Sequence, residues 1–285
     1  MFKKYYTLTK PGIIYGNALT TAAGFLFAAR GHASPVLFLA TLLGISLVIA
    51  SACVFNNYID RDIDHKMART KNRALVSGDI SVRNALTYGV ILGLTGFAVL
   101  TFHTNLATAL LAFIGFFFYV VMYSIWKRRS VHGTLVGTIS GAMPIAVGYV
   151  AVTGRFDTGA FILFMIMVVW QMPHFYAIAI YRLEDYRHAG IPVLPVKKGI
   201  PATKSQMLSY ILAFLAAASA LTIYGYAGYT YFVVMLVVSL MWLRKAIAGF
   251  KKHNDDARWA RGLFGFSLVV LMTLSVMLSL NVWLP

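Results

Sequence analysis

The sequence predicts an all-α polytopic membrane protein with nine transmembrane helices and its N-terminus in the cytoplasm. Three observations carry this reading. Of 285 residues, 59% are hydrophobic and only 12% charged, where a soluble domain carries roughly a quarter; mean hydropathy is +0.73. Nine runs are apolar enough to cross a hydrocarbon core of about 30 Å, which takes about 20 residues each. Basic residues fall in the N-terminal segment and in every second loop: 23 of the 25 Lys and Arg lie there, leaving only Arg30 and Arg155 on the other side. That is the positive-inside pattern of a multi-pass protein. It accounts for the net charge of +16 without a nucleic-acid partner.

The nine runs, in order, are 12–29, 36–55, 84–102, 105–123, 133–152, 159–180, 206–224, 228–243 and 263–283. The eighth is short and ends at Trp242. Removing any one of them would scramble the alternation of basic loops, so the count and the topology support each other. The C-terminus then lies outside. The stretch Met1–Thr9 is too short and too poor in arginine for a transit peptide, and we expect a single transmembrane domain over residues 1–285. One cysteine, Cys53, excludes a disulfide framework; within an apolar run it reads as a small buried hydrophobe.

Nine carboxylates occur in the chain, and five cluster in two segments on the predicted cytoplasmic face. Asp60, Asp62 and Asp64 close the second run; Glu184 and Asp185 close the sixth. In Asn56-Asn57-Tyr58-Ile59-Asp60-Arg61-Asp62-Ile63-Asp64, helical spacing puts Asn56, Asp60 and Asp64 on one stripe, about 6 Å apart. Converging oxygens suit Mg²⁺, which binds through a few carboxylates plus substrate phosphates. Asp62 falls on the opposite side and is expected to pair with Lys66 at i+4. The basic residues Lys66, Arg69, Lys71 and Arg73 follow. They suit anchoring at anionic headgroups or, beside the carboxylate stripe, a cradle for a metal-bound diphosphate. Tyr181-Arg182-Leu183-Glu184-Asp185-Tyr186-Arg187, the turn Ile191-Pro192-Val193-Leu194-Pro195, and Lys197-Lys198 would complete the same site from the other side.

The first motif resembles the N-D-x-x-D-x-x-x-D signature of UbiA-type intramembrane prenyltransferases, and Arg69-Thr70-Lys71-Asn72-Arg73 resembles its usual sequel. Thr9-Lys10-Pro11-Gly12-Ile13, Trp170-Gln171-Met172-Pro173-His174-Phe175 and the Pro-rich turn are similar to the branch of that family that acts on haem. Two departures stand out. Asn57 replaces an aspartate of many members, and the second motif, usually D-x-x-x-D, here has Ala189 four residues after Asp185. Glu184 could compensate, although on a helix it points about 100° away.

The resemblance implies farnesyl transfer from farnesyl diphosphate to a vinyl group of haem B, with addition of water, giving haem O and diphosphate. It implies Asp60, Asp64 and Asp185 as catalytic residues, and Mg²⁺ held through the diphosphate by these with Asn56 and Asn57. Lys66, Arg69, Lys71, Arg73, Arg182, Lys197 and Lys198 are the implied diphosphate ligands. It also implies a bacterial inner membrane, active-site loops on the cytoplasmic side, and a haem-modifying enzyme or terminal oxidase downstream. His174, with Gln171, is the expected haem-binding pair: it is the histidine well within a span, where ionisable groups are costly, and neutral imidazole is a common haem ligand. The bland reading is that His174 satisfies a carbonyl freed by Pro173. His132 is a second candidate; His32, His65, His103, His188 and His253 are read as loop residues. Phe116, Phe117, Phe118, Tyr119 and Tyr123 could shield an allylic cation, although packing or an interfacial belt explains most of them better. The alternatives are a quinone-type aromatic prenyltransferase of the same fold and a transporter. Carboxylates at helix ends on one face disfavour the transporter, whose site would lie near the midplane.

Overall fold

The computed structural model describes residues 1–251 and 255–285; His253 lies outside them. Its elements are helical throughout: α1 Phe2–Leu8, α2 Pro11–Ala29, α3 Pro35–Ile59, α4 Arg61–Asp64, α5 Val82–His103, α6 Leu106–Phe117, a π-helix Phe118–Tyr123, α7 Ser124–Arg129, α8 Gly133–Thr153, α9 Thr158–Tyr181, α10 Leu183–His188, α11 Leu194–Ile223, α12 Tyr229–Ala248, α13 Asp256–Leu280 and a final 3₁₀ turn Asn281–Trp283. Among the described residues nine helices are long and apolar enough to cross a membrane, with α6, the π-helix and α7 forming one of them.

The spans match the expected runs in order, and the helices often reach further than hydropathy suggests. Polar caps explain this. Ser34 accepts the Leu37 N–H and Pro35 opens α3, which then continues through the polar Asn56 and Asn57. Asp255 accepts the Ala257 and Arg258 N–H groups and starts α13 seven residues before its apolar run. Neither the caps nor the first polar turn registers as membrane sequence. The seventh span begins at Leu194 rather than 206, but Gly199 (φ 81°, ψ 167°) divides it into a short polar helix and the crossing segment.

The bundle centres on α8 and α9, whose membrane windows are 61% and 67% buried against 22–28% for α5, α6, α11 and α12. Around them α2 packs on α8, α11 and α13 on α9, and α3 on α5. The α2–α8 crossing requires glycine. A Cβ on Gly148 would lie 2.0 Å from the Thr21 carbonyl oxygen, and one on Gly24 would lie 2.1 Å from that of Ile145. Small residues allow such backbone approach where lipid gives no hydrophobic drive between helices.

Candidate active site

The starts of α2 and α8 and the ends of α3, α7 and α9 meet at one end of the bundle, around a cavity of about 800 Å³. This is within the range of small-molecule sites. Its mouth carries Asp60, Asp64, Asp185, Lys10, Arg69, Arg73, Lys127 and Arg182; its depth is lined by Ile45, Val48, Ala112, Met143, Pro144 and Leu271.

The carboxylate stripe survives a break in its helix. Asp60 ends α3 at φ −90°, ψ 0°, and α4 restarts at Arg61. The Asp60 N–H still donates to Asn56 O (2.9 Å) and the Asp64 N–H to Asp60 O (2.8 Å), so the four-residue spacing holds. Asn56, Asp60 and Asp64 all line the cavity. Like charges at this spacing repel, and here each has its own cation: Lys127 on Asp60, and Arg73 Nη1 at 2.6 Å from Asp64 Oδ2.

Among the described residues Asp60 Oδ1 is buried with no hydrogen-bond partner, and so is Asn56 Nδ2; the Arg128 Nη2 is 3.7 Å from Asp60 Oδ1. A buried carboxylate oxygen without a hydrogen bond is costly and fits a cation ligand. No group of three or more His, Cys, Asp or Glu among the described residues could hold a metal by itself. The donors are hard oxygens spread around a basic rim, an arrangement suited to Mg²⁺ completed by diphosphate oxygens.

Two expectations need correction. Asp62 pairs with Arg128, not with Lys66, through Nη1–Oδ2 (2.7 Å) and Nη2–Oδ1 (2.8 Å). Arg128 also donates to Ile59 O at 2.7 Å, so α7 is clamped over the end of α3. The Arg128 hydrogen bonds hold the Asp62 carboxyl below the usual carboxylate range. The contact is exposed and worth little. Asp62→Asn should therefore leave turnover within a few-fold of the parent; a loss as severe as at Asp60 would overturn this assignment of faces. Asn57 is the second correction: its Nδ2 donates to Leu8 O (2.7 Å) and it is absent from the cavity wall, so it ties α1 to α3 instead of facing the site.

The second segment sits across the mouth. Helix α9 stops at Tyr181 and α10 begins at Leu183, so the helix is not continuous from His174 to Asp185. Asp185 lines the cavity with Arg182, whose Nη1 is 3.7 Å from Asp185 Oδ2. Glu184 is turned away onto Arg187 at 2.7 Å. Among the expected diphosphate ligands Arg69, Arg73 and Arg182 line the wall; Lys66, Lys71, Lys197 and Lys198 are exposed and do not.

Lys10 and Lys127 were not singled out from sequence. Lys10, at φ 54° ahead of Pro11, donates Nζ to Asn56 Oδ1 at 2.6 Å. Burial pushes its ammonium down to about 8, a cost that an incoming anion would relieve. The one local signal was a lysine immediately before a helix-opening proline. Lys127 reaches the cavity because α8 starts against it, a Cβ on Gly133 falling 2.5 Å from Lys127 Cα. The π-helix, a form frequent at functional sites, turns Tyr119 and Tyr123 inward as a stacked pair (5.8 Å, 15°). These two and Phe116 line the cavity; Phe117 and Phe118 do not. Cys53 is buried as expected, and lines the same wall.

Deeper in, the His174 ring lies against Trp170 (centroids 4.8 Å, 27°) and Phe264 (4.7 Å), with Nδ1 2.8 Å from Ser267 Oγ on α13. It therefore does not repair a carbonyl next to Pro173, and α9 runs through that proline. Gln171 donates to Thr138 O (3.1 Å) and Met167 O (2.9 Å), with its Oε1 over Gly141. Both line the cavity, whereas His132 is an exposed residue at the start of α8.

Residues 17–277 match the model of the UbiA prenyltransferase family. The chain is 55% identical over 286 residues to a protoheme IX farnesyltransferase of Sodalis glossinidius, covering 100% of this chain and 96% of the relative. It is also 55% identical over 282 residues to a protoheme IX farnesyltransferase of Yersinia pestis (99% and 95%). Among solved structures, one from work on digeranylgeranylglyceryl phosphate synthase in membranes superposes with TM-score 0.81 at 17% identity (99% and 98% covered). A UbiA homologue from Archaeoglobus fulgidus bound to DMAPP and Mg²⁺ superposes at 0.72 and 16% identity (94% and 99% covered). At such identities these two speak for the fold.

Proposed function

We propose, on the premise that this chain belongs to the UbiA prenyltransferase family, that it transfers a farnesyl group from farnesyl diphosphate to a vinyl group of haem B, with addition of water, giving haem O and diphosphate. The observation that carries the reading is one cavity with a carboxylate-and-cation mouth and an apolar depth containing an imidazole, in a chain 55% identical to curated protoheme IX farnesyltransferases.

Asn56, Asp60, Asp64 and Asp185 would hold Mg²⁺ through the diphosphate, and Asn57 drops out. Held there, the metal would neutralise charge on the leaving group. Arg69, Arg73, Arg182, Lys10 and Lys127 grip the diphosphate oxygens, where preorganised cations in a dry site are worth most. Lys127 and Arg73, the partners of Asp60 and Asp64, line the same wall and would neutralise diphosphate charge together with the metal. The C1–O bond of the farnesyl group breaks with its electron pair going to diphosphate, and C1 bonds to the vinyl carbon. The cation left on the haem side takes up water, which then loses a proton. The apolar walls keep water from the allylic cation first, and Phe116, Tyr119 and Tyr123 face it. We place the protein in a bacterial inner membrane with the mouth on the cytoplasmic side, upstream of an enzyme or oxidase that uses the modified haem.

Arg69 makes no ion pair among the described residues, so it tests the diphosphate cradle cleanly. Arg69→Gln should raise the KM for farnesyl diphosphate more than about 10-fold, the worth of one charge-assisted hydrogen bond, and leave haem absorbance unchanged. Loss of haem binding with an unchanged KM would reverse that assignment. The reading as a whole is tested by diphosphate release from farnesyl diphosphate in purified protein with Mg²⁺. Release should require haem B. Release driven instead by an aromatic quinone precursor would favour the quinone-type alternative.

A further inference from the structure

We propose that Ser267 is a positioning residue that fixes the His174 tautomer, so that Nε2 presents its lone pair to the iron of the haem acceptor. This rests on the acceptor proposed above and assigns a part of its site that lies outside the cavity wall. Ser267 is fully buried on α13, while Leu268 and Leu271 of the same helix line the cavity. Its contact with His174 joins residues 93 apart in sequence.

The argument is one of proton count. A serine hydroxyl has one proton, and Ser267 Oγ donates it to Phe264 O at 2.6 Å. Its lone pairs remain for His174 Nδ1 at 2.8 Å, so Nδ1 must be the donor. A neutral imidazole protonated at Nδ1 carries its lone pair on Nε2. That nitrogen has no hydrogen-bond partner among the described residues, while His174 lines the cavity.

The ring plane is set by the same residue. Trp170, stacked on His174, donates its Nε1–H to the Ser267 carbonyl at 2.9 Å. Phe264, which accepts the Ser267 hydroxyl, also packs its ring on His174. One turn of α13 thus fixes which nitrogen is free and which way it points. Partners of this kind behind a metal-binding imidazole set its tautomer and orientation, and losing one costs about 10- to 100-fold in affinity.

The test is a titration of purified protein with ferric haem B, without Mg²⁺ or farnesyl diphosphate, following the Soret band in the parent, Ser267→Ala and His174→Ala, with thermal unfolding of each haem-free protein. Ser267→Ala removes one buried oxygen and no packing atoms of carbon. It should shift the Soret band and weaken haem binding about 10- to 100-fold. A Soret band and affinity equal to the parent's, with His174→Ala altered, would overturn the role of Ser267 and leave the haem reading intact; a fall in melting temperature alone counts as that outcome. Identical spectra for the parent and His174→Ala, or no haem binding by the parent, would overturn the proposed ligand and this inference with it.

Discussion

Asp60→Asn and Asp64→Asn should each lower turnover by more than about 100-fold, exceeding what the loss of an outer partner of a metal site costs, while the protein stays folded in its membrane. Asparagine keeps the shape and still accepts a hydrogen bond from Lys127 or Arg73, so packing changes little. What disappears is the negative charge that holds the metal against the leaving diphosphate. Asp60 is the sharper case, because its Oδ1 is buried without a hydrogen-bond partner among the described residues. The check is the initial rate of diphosphate release at saturating Mg²⁺, beside Mg²⁺-dependent diphosphate binding by calorimetry. A rate within about twofold of the parent would remove that residue from the metal set. The charge also serves Lys127, which is 8% exposed, so a modest fall in melting temperature is expected at Asp60 in addition.

The second large effect is at His174. His174→Ala should shift or abolish the Soret band of bound haem and reduce turnover, while Mg²⁺-dependent binding of farnesyl diphosphate persists. The two ends of the cavity would then be separable: carboxylates and cations for the diphosphate, the imidazole for the acceptor. Among the described residues His174 hydrogen-bonds only Ser267 and packs on Trp170 and Phe264, so a residue with a purely structural role would lower the melting temperature and leave the spectrum alone. That result would remove the ligand assignment.

What could be read from the sequence was local. Nine apolar runs announce nine helices because each satisfies its own backbone within one segment, as lipid demands. The Asn56, Asp60 and Asp64 stripe was legible for the same reason, its members being one helical turn apart. Contacts across the fold were not. Lys10 meets Asn56 over a separation of 46 residues and Lys127 meets Asp60 over 67, and no spacing rule encodes either. The expected Asp62–Lys66 pair failed because Arg128, 66 residues away in sequence, offers two hydrogen bonds with fork geometry. Asn57 shares the motif with Asn56 but faces α1; adjacent helical positions differ by about 100°, and sequence alone did not say which of the two faced inward. The helix break at Arg182 was hidden too, since a polar helix and a polar turn share composition.

The central claim is that farnesyl is joined to haem. Membranes containing the protein should be incubated with haem B, Mg²⁺ and isoprenoid diphosphates of several chain lengths, and the extracted porphyrins identified by mass. The account predicts one new porphyrin, heavier than haem B by a farnesyl group plus a hydroxyl group, absent without Mg²⁺ and absent from Asp60→Asn. Unmodified haem B, beside a prenylated aromatic formed from an added quinone precursor, would contradict it.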